Sequence, residues 1–124
     1  MKPEAKLYQK FKKNTPLVKW SRLENWASFG IPDLLGYNDN CGFFMVELKI
    51  QNGNKIKFSP HQILFHTTRT QRNFILVQQA PKGGPRPIKL YGSKSIAGLI
   101  TDPRAVAPLA VDDFNEIQKI LIKS

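Results

Sequence analysis

Asp33, Glu47 and Lys49 are the residues of this chain whose types and spacing suggest chemistry. All three lie in "GIPDLLGYNDNCGFFMVELKI", Gly30 to Ile50. In a strand, residues two apart share a face, so Glu47 and Lys49 point the same way and Leu48 points opposite, into an apolar layer. The strand's first half is expected to be buried, with the charged pair emerging near its end at the rim of the sheet. Asp33 opens the preceding strand. If the two strands are antiparallel, with a turn centred near residues 38 to 41, Asp33 comes alongside Glu47. Two carboxylates that close repel each other unless one is protonated or a cation bridges them. Mg²⁺ suits such a site, because it takes carboxylate, carbonyl and water oxygens. A metal there polarises a phosphate and lowers the pKa of a bound water. Lys49 would orient or deprotonate the attacking water, or stabilise charge on phosphorus.

Several elements must position these groups. Leu7, Tyr8 and Phe11 recur at helical spacing, and Pro3 suits a first turn, so the pattern predicts a helix over 3–13. "LVKWSRLE", Leu17 to Glu24, alternates as a strand. "DLLGY", "NDNCG" and "FFMVELKI" read as strand, turn and strand. The Phe43–Val46 run has no polar face, which predicts a central strand covered on both sides. Ser59 and Pro60 read as N-cap and first residue of a helix running through "HQILFHTTRTQ". "NFILVQQ" is a further strand without a polar face, "IKLYG" another strand and "SKSIAGLI" a short helix. Asp113 with Glu116 forms a capping box opening a last helix, with Phe114, Ile117, Ile120 and Leu121 along one stripe. The order α-β-β-β-α-β implies an α/β fold with a central mixed sheet flanked by helices. One domain over 1–124 is expected, with a core at about 3–79 and a C-terminal extension over 80–124.

The chain has 124 residues, and its 19 Lys and Arg outweigh 9 Asp and Glu, for a net charge of +10. Such an excess favours a polyanionic partner. No apolar run approaches the ~20 residues needed to span a bilayer, and the charged N-terminus "MKPEAKLYQKFKKN" does not read as a signal peptide. A basic membrane-surface protein is the weaker alternative. The single cysteine, Cys41, forms no intrachain disulfide and fits a cytoplasmic location; it sits in a turn with no His nearby in sequence.

"PD" at Pro32-Asp33 and "ELK" at Glu47-Leu48-Lys49, with 13 residues between Asp33 and Glu47, resemble the signature of the PD-(D/E)XK nuclease superfamily. "GIPDLL" and the "SPHQ" that opens the next helix resemble its VRR-NUC branch and its small Holliday-junction resolvases, bacteriophage ones included. The resemblance covers about Pro3 to Gln79. It implies a restriction-endonuclease-like core and a Mg²⁺- or Mn²⁺-dependent DNA endonuclease. Asp33, Glu47 and the Leu48 backbone carbonyl would hold metal, and Lys49 would act as base or charge stabiliser. Gln62 matches a Gln at the start of the helix that positions groups at the site. Glu4 matches, by position, an acid from the first helix, on the stripe of Tyr8 and Phe11 facing the sheet. Glu24 is its rival or an additional ligand. The resemblance also implies a homodimer on branched DNA, in the host cytoplasm if the source is a bacteriophage. The dimer contact would come from the last helix's stripe or from the face carrying Leu64 and Phe65, unless these are simply core. Cutting of flaps, nicks or single strands is the alternative, as is a non-catalytic DNA-binding protein of the same fold.

Lys10, Lys13 and Arg22 near the start, Lys55 and Lys57 in the loop, and Arg69 and Arg72 at the end of the Ser59 helix are candidates for phosphate contacts. Lys12 and Lys19 join them. Trp26 and Phe29 are placed to stack on an unpaired base, while Trp20 reads as core. His61 and His66 lie about 140° apart around a helix, share no face and read as ordinary side chains. "PKGGPRP" lacks the lysine-serine pattern of a nucleotide loop and reads as a flexible basic loop.

Overall fold

The structure is a computed structural model that describes residues 2–23, 29–80 and 86–123. Helix α1 spans Pro3–Asn14 and strand β1 Lys19–Arg22. Strands β2 (Leu34–Asn38) and β3 (Gly42–Gln51) follow, then α2 (Pro60–Thr68) and β4 (Asn73–Gln79). Strand β5 (Ile88–Gly92) leads through a 3₁₀ turn into α3 (Ile96–Thr101). A two-residue strand β6 (Ala110–Val111) and helix α4 (Phe114–Leu121) complete the chain. The fold is α/β, with a mixed six-stranded sheet in the order β1-β2-β3-β4-β5-β6. Only β3 and β4 run parallel, and α2 is the crossover between them. All other neighbouring pairs are antiparallel.

Each face of the sheet is closed by a different pair of helices. Even-numbered residues of β3, Phe44, Val46 and Leu48, join Leu7 and Phe11 of α1 and Ile117 and Leu121 of α4 in one buried cluster. On the other face Ile75 and Val77 of β4 pack with Tyr91, Ile96 and Leu99, beneath α2 and α3. Leu7 and Phe11 are four apart, so one helical face buries both. The stripe on α4 is therefore core, and it does not offer the dimer contact expected of it. Residues after 80 share that core: Ile88, Leu90 and Ala110 belong to the cluster of Leu7 and Phe11. Trp20 packs against it, with its ring 5.5 Å from Phe44 and its Nε1 donating to Thr15 Oγ1 at 2.9 Å. Gly36 makes room for this pair, since a methyl there would lie 2.6 Å from the Phe44 ring.

Several boundaries differ from expectation for local reasons. The first strand is shorter than 17–24, because Thr15 to Leu17 form a turn that delivers the chain to Lys19. Helix α2 stops at Thr68 instead of continuing to Gln71. Thr67 and Thr68 turn their hydroxyls back onto the Ile63 and Leu64 carbonyls, and Asn73 Nδ2 donates to Arg69 O. Arg72 then adopts φ +53° at the turn into β4. Strand β6 has no counterpart in the sequence reading, since two residues carry no period. Asp112 holds it, accepting the Ile88 N–H on Oδ1 at 2.7 Å. At α4, Asp113 Oδ1 accepts the Glu116 N–H at 3.1 Å, the forward half of the box. Strand β3 is central but not covered along its whole length, for Phe43 is 60% exposed.

Candidate functional site

The hairpin register sets the first relationship. Leu34 pairs with Val46 and Asn38 with Gly42, so Asp33, one residue before β2, lies across from Glu47. The Asp33 carboxylate is fixed there, because its Oδ2 accepts the Leu48 N–H at 2.8 Å. Leu48 N–H thus points to the β2 side just past the last β2–β3 pair. A strand residue turns its N–H and C=O to the same side, so the Leu48 carbonyl is directed to the β2 side of β3 as well. Glu47 and Lys49 share the α2 face of the sheet, as their spacing requires. The expected rim position is wrong for Glu47, however. It is 2% exposed, because α2 lies over it and the strand runs on to Gln51.

Helix α2 supplies the other half of the site. Ser59 and Gln62 form a reciprocal capping box, with Ser59 Oγ accepting from Gln62 N and Gln62 Oε1 accepting from Ser59 N. The Gln62 amide then reaches into the site. Its Oε1 also accepts from Lys49 Nζ at 2.9 Å, and its Nε2 donates to Glu47 Oε2 at 3.3 Å. Two donors on one end and a carboxylate on the other fix the orientation of the amide. Gly30 sets the helix in place. It has φ +79°, and a Cβ there would lie 2.2 Å from the His61 carbonyl oxygen and 2.7 Å from the Gln62 nitrogen. No side chain fits between the segment leading to Asp33 and the first turn of α2. Pro32, next to Asp33, is buried.

His66, one turn beyond Gln62, is a site residue that the sequence reading passed over. It is fully buried, and its Nε2 faces Glu47 Oε1 at 3.8 Å. Its Nδ1 lies 2.7 Å from Ser93 Oγ, while Ser93 Oγ donates to Asn73 O at 2.9 Å. The single hydroxyl proton is used on Asn73, so Ser93 accepts from His66 Nδ1–H. The neutral ring therefore turns a bare Nε2 toward Glu47. Comparing His61 with His66 hid this arrangement; the informative spacing was Gln62 to His66, four residues on one face.

Electrostatics match this geometry. Burial, then the neighbouring Asp33 carboxylate, pushes the Glu47 carboxyl up to about 10; Lys49 pulls it down and Glu4 adds to the rise. Burial, and then the Lys49 charge, lowers His66 to about 4. Glu4 is exposed, not turned to the sheet as expected. It still senses the site: partial desolvation and then Asp33 raise its carboxyl, against Lys49, Arg22 and Lys2. Glu24 and Trp26 lie outside the described residues, as does most of "PKGGPRP".

Whether a cation fits can be judged from these groups. Among the described residues no three His, Cys, Asp or Glu side chains form a metal-holding group. The donors are instead two adjacent carboxylates and the Leu48 carbonyl. Glu47 Oε1 is a buried acceptor with no hydrogen-bond partner. An all-oxygen set of this size, completed by water, suits Mg²⁺ or Mn²⁺. Asp33 and Glu47 are the carboxylates that would face such an ion, and Glu4 senses Asp33.

Basic residues gather beside Lys49 and Glu4. A cavity of about 440 Å³ is bounded by Lys2, Glu4, Lys49 and Lys57, beside the ends of the parallel strands β3 and β4. It continues along α1 into a smaller one bounded by Lys6, Lys10 and Arg86. Lys10 and Lys57, two of the expected phosphate contacts, line this trough together with Lys2, Lys6 and Arg86. Lys13 and Lys55 are exposed and bound neither cavity. The Arg22 guanidinium lies 5.0 Å from the Tyr8 ring. Arg69 and Arg72 lie at the far end of α2, with Arg69 over Phe65 at 4.5 Å. The Cys41 thiol is half-buried and donates to the Leu121 carbonyl. No helix among the described residues is long and apolar enough to cross a membrane. Compared with protein-family models, curated proteins and solved structures, the chain matches none.

Proposed function

We propose that the chain is a divalent-metal-dependent DNA endonuclease with a restriction-endonuclease-like core, acting on branched DNA as a homodimer. The observation that carries the reading is the joining of Asp33, Glu47, Lys49 and Gln62 into one network across a hairpin and a helix. Asp33, Glu47 and the Leu48 carbonyl would hold Mg²⁺ or Mn²⁺, with Glu4 as the additional acid. A bound ion would polarise a phosphate oxygen and supply hydroxide near neutral pH.

The residues themselves divide the remaining work. Asp33 is oriented by the Leu48 amide and presents its second oxygen. Gln62 holds Glu47 and Lys49 in fixed relation, so neither must reorganise when substrate arrives. Lys49 brings an ammonium beside the carboxylates, where negative charge develops on phosphorus. Its Nζ also lies 4.9 Å from the Phe58 ring, which limits its freedom. The Lys2-to-Arg86 trough supplies phosphate contacts that do not read sequence. Contacts of this kind favour reading of DNA shape over base sequence. A four-way junction has two-fold symmetry, so paired cuts call for two copies.

The test is cleavage of a labelled four-way junction beside a linear duplex, a flap and a single strand, with Mg²⁺, Mn²⁺ or EDTA. Metal-dependent paired nicks confined to the junction are expected. Preference for the flap or single strand would keep the chemistry and discard the resolvase reading. Tight junction binding without cleavage under either metal would leave a DNA-binding protein.

A further inference from the structure

On β3, residues 43, 45, 47 and 49 share one face, and α2 covers only the last two. Phe43 is left 60% exposed and Met45 half-buried. Beside them two depressions, of about 380 and 290 Å³, share Ile31, Phe65 and Arg69 and so form one trench along the outside of α2. Four phenylalanines line it: Phe29 at 64% exposure, Phe43, Phe65 and the buried Phe44. Arg69 lies flat enough over Phe65 to bring its guanidinium carbon 4.5 Å from the ring centre. Arg72 stands at the same end. Among the described residues no acidic side chain lines either part.

We infer that this trench binds unpaired nucleotides flanking the cleavage centre, with bases stacked on Phe43 and its neighbours and phosphates on Arg69 and Arg72. Every base has a π-face, so aromatic walls accept any sequence, and the two arginines take the backbone. A second copy of the chain fits less well. A two-fold contact through this patch would bring Arg69 and Arg72 of both copies together, with no acid among the described residues of the patch to offset them. The trench also leads to the site. It ends at His61, beside Gln62, and Phe43 lies four strand residues from Glu47, roughly 13 Å. This placement rests on the nuclease reading and sharpens it: the branch that is cut carries unpaired nucleotides next to the scissile bond.

The experiment is fluorescence anisotropy of a labelled eight-nucleotide oligothymidine in EDTA, so that cutting plays no part. Wild type, Phe43→Ser and Arg72→Ala are compared, with a duplex of equal length as control. Phe43→Ser is expected to weaken the single strand at least about fivefold and the duplex less than about twofold. Phe43 is exposed but its ring packs on Tyr37 at 4.8 Å, so a small loss of stability is expected, and circular dichroism checks that Phe43→Ser keeps the fold. Unchanged oligothymidine affinity, or equal loss for the duplex, would overturn the inference. So would a shift from dimer to monomer in Phe43→Ser, which would assign the trench to a second copy. Selective binding without cleavage in Mg²⁺ or Mn²⁺ supports the trench while removing the nuclease reading. Cleavage with unaltered Phe43→Ser binding removes the trench alone.

Discussion

Glu47 Oε1 and His66 Nε2 face each other at 3.8 Å in the interior, and neither has a hydrogen-bond partner. With His66 neutral and Glu47 protonated, the contact buries no net charge, whereas an ionised Glu47 would face a bare ring nitrogen with no donor between them. The pair is comfortable only while Glu47 keeps its proton, or while a cation takes the proton's place.

A pH dependence of stability follows. Burial and Asp33 raise Glu47 from an ordinary 4.5 to about 10. Between those values the folded chain binds a proton that the unfolded chain has lost, so stability falls as pH rises. His66 is lowered from 6.5 to about 4, which makes stability rise with pH across that lower window. The two oppose each other up to pH 6.5, and above it Glu47 acts alone. Metal-free protein should therefore melt at progressively lower temperature from pH 7 to 9, with a slope of at most ~1.4 kcal/mol per pH unit. Glu47→Gln should flatten that slope and raise the melting temperature at pH 8. Calorimetric melting of both proteins in EDTA checks this, and parallel pH profiles would contradict it.

Gly30→Ala should cost about 3 kcal/mol or more. Its φ of +79° disfavours any Cβ, and the added methyl would meet the His61 carbonyl at 2.2 Å. Urea unfolding measures the loss. Because the clash falls on the first turn of α2, surviving folded protein should also cut DNA poorly.

Gln62→Ala should lower cleavage by ~10–100-fold and raise the metal concentration needed for half-maximal rate. It removes the link between Lys49 and Glu47 and half of the Ser59 capping box. Gln62→Glu keeps the box's acceptor but sets a third negative charge beside Glu47, so it should not rescue the rate. A titration of rate against Mn²⁺ separates the metal effect from lost stability.

Ser93→Ala leaves both His66 Nδ1–H and the Asn73 carbonyl without their partner, in a site where all three residues are buried. A loss of about 1–3 kcal/mol is expected in chemical unfolding. Glu4→Gln should lower cleavage by ~10-fold at saturating junction, because Glu4 senses Asp33 and Lys49; steady-state kinetics read it.

Much of this arrangement was legible in the sequence because strand periodicity and hairpin register are local. The Asn38–Gly42 turn sets Asp33 across from Glu47, and two-residue spacing puts Lys49 on the same face. Ser59-Pro60 announced α2 equally well. What stayed hidden depended on contacts between distant segments. Gly30 carries no mark of the helix pressed against it. The burial of Glu47 depends on where α2 lands, and His66 acquires meaning only once Ser93 arrives from another strand's end. Phe43 looked like core because an apolar run does not tell which of its residues a short helix will leave bare.

The most direct test of the account is calorimetric titration of Mn²⁺ into wild type and Glu47→Gln at pH 8, repeated in buffers of different ionisation enthalpy. Because Glu47 holds a proton in the absence of metal, wild type should bind Mn²⁺ and release about one proton per ion, whereas Glu47→Gln should show little binding and no such release. Equal binding by the two proteins, or binding by wild type without proton release, would contradict the claim that Asp33 and Glu47 form a cation site.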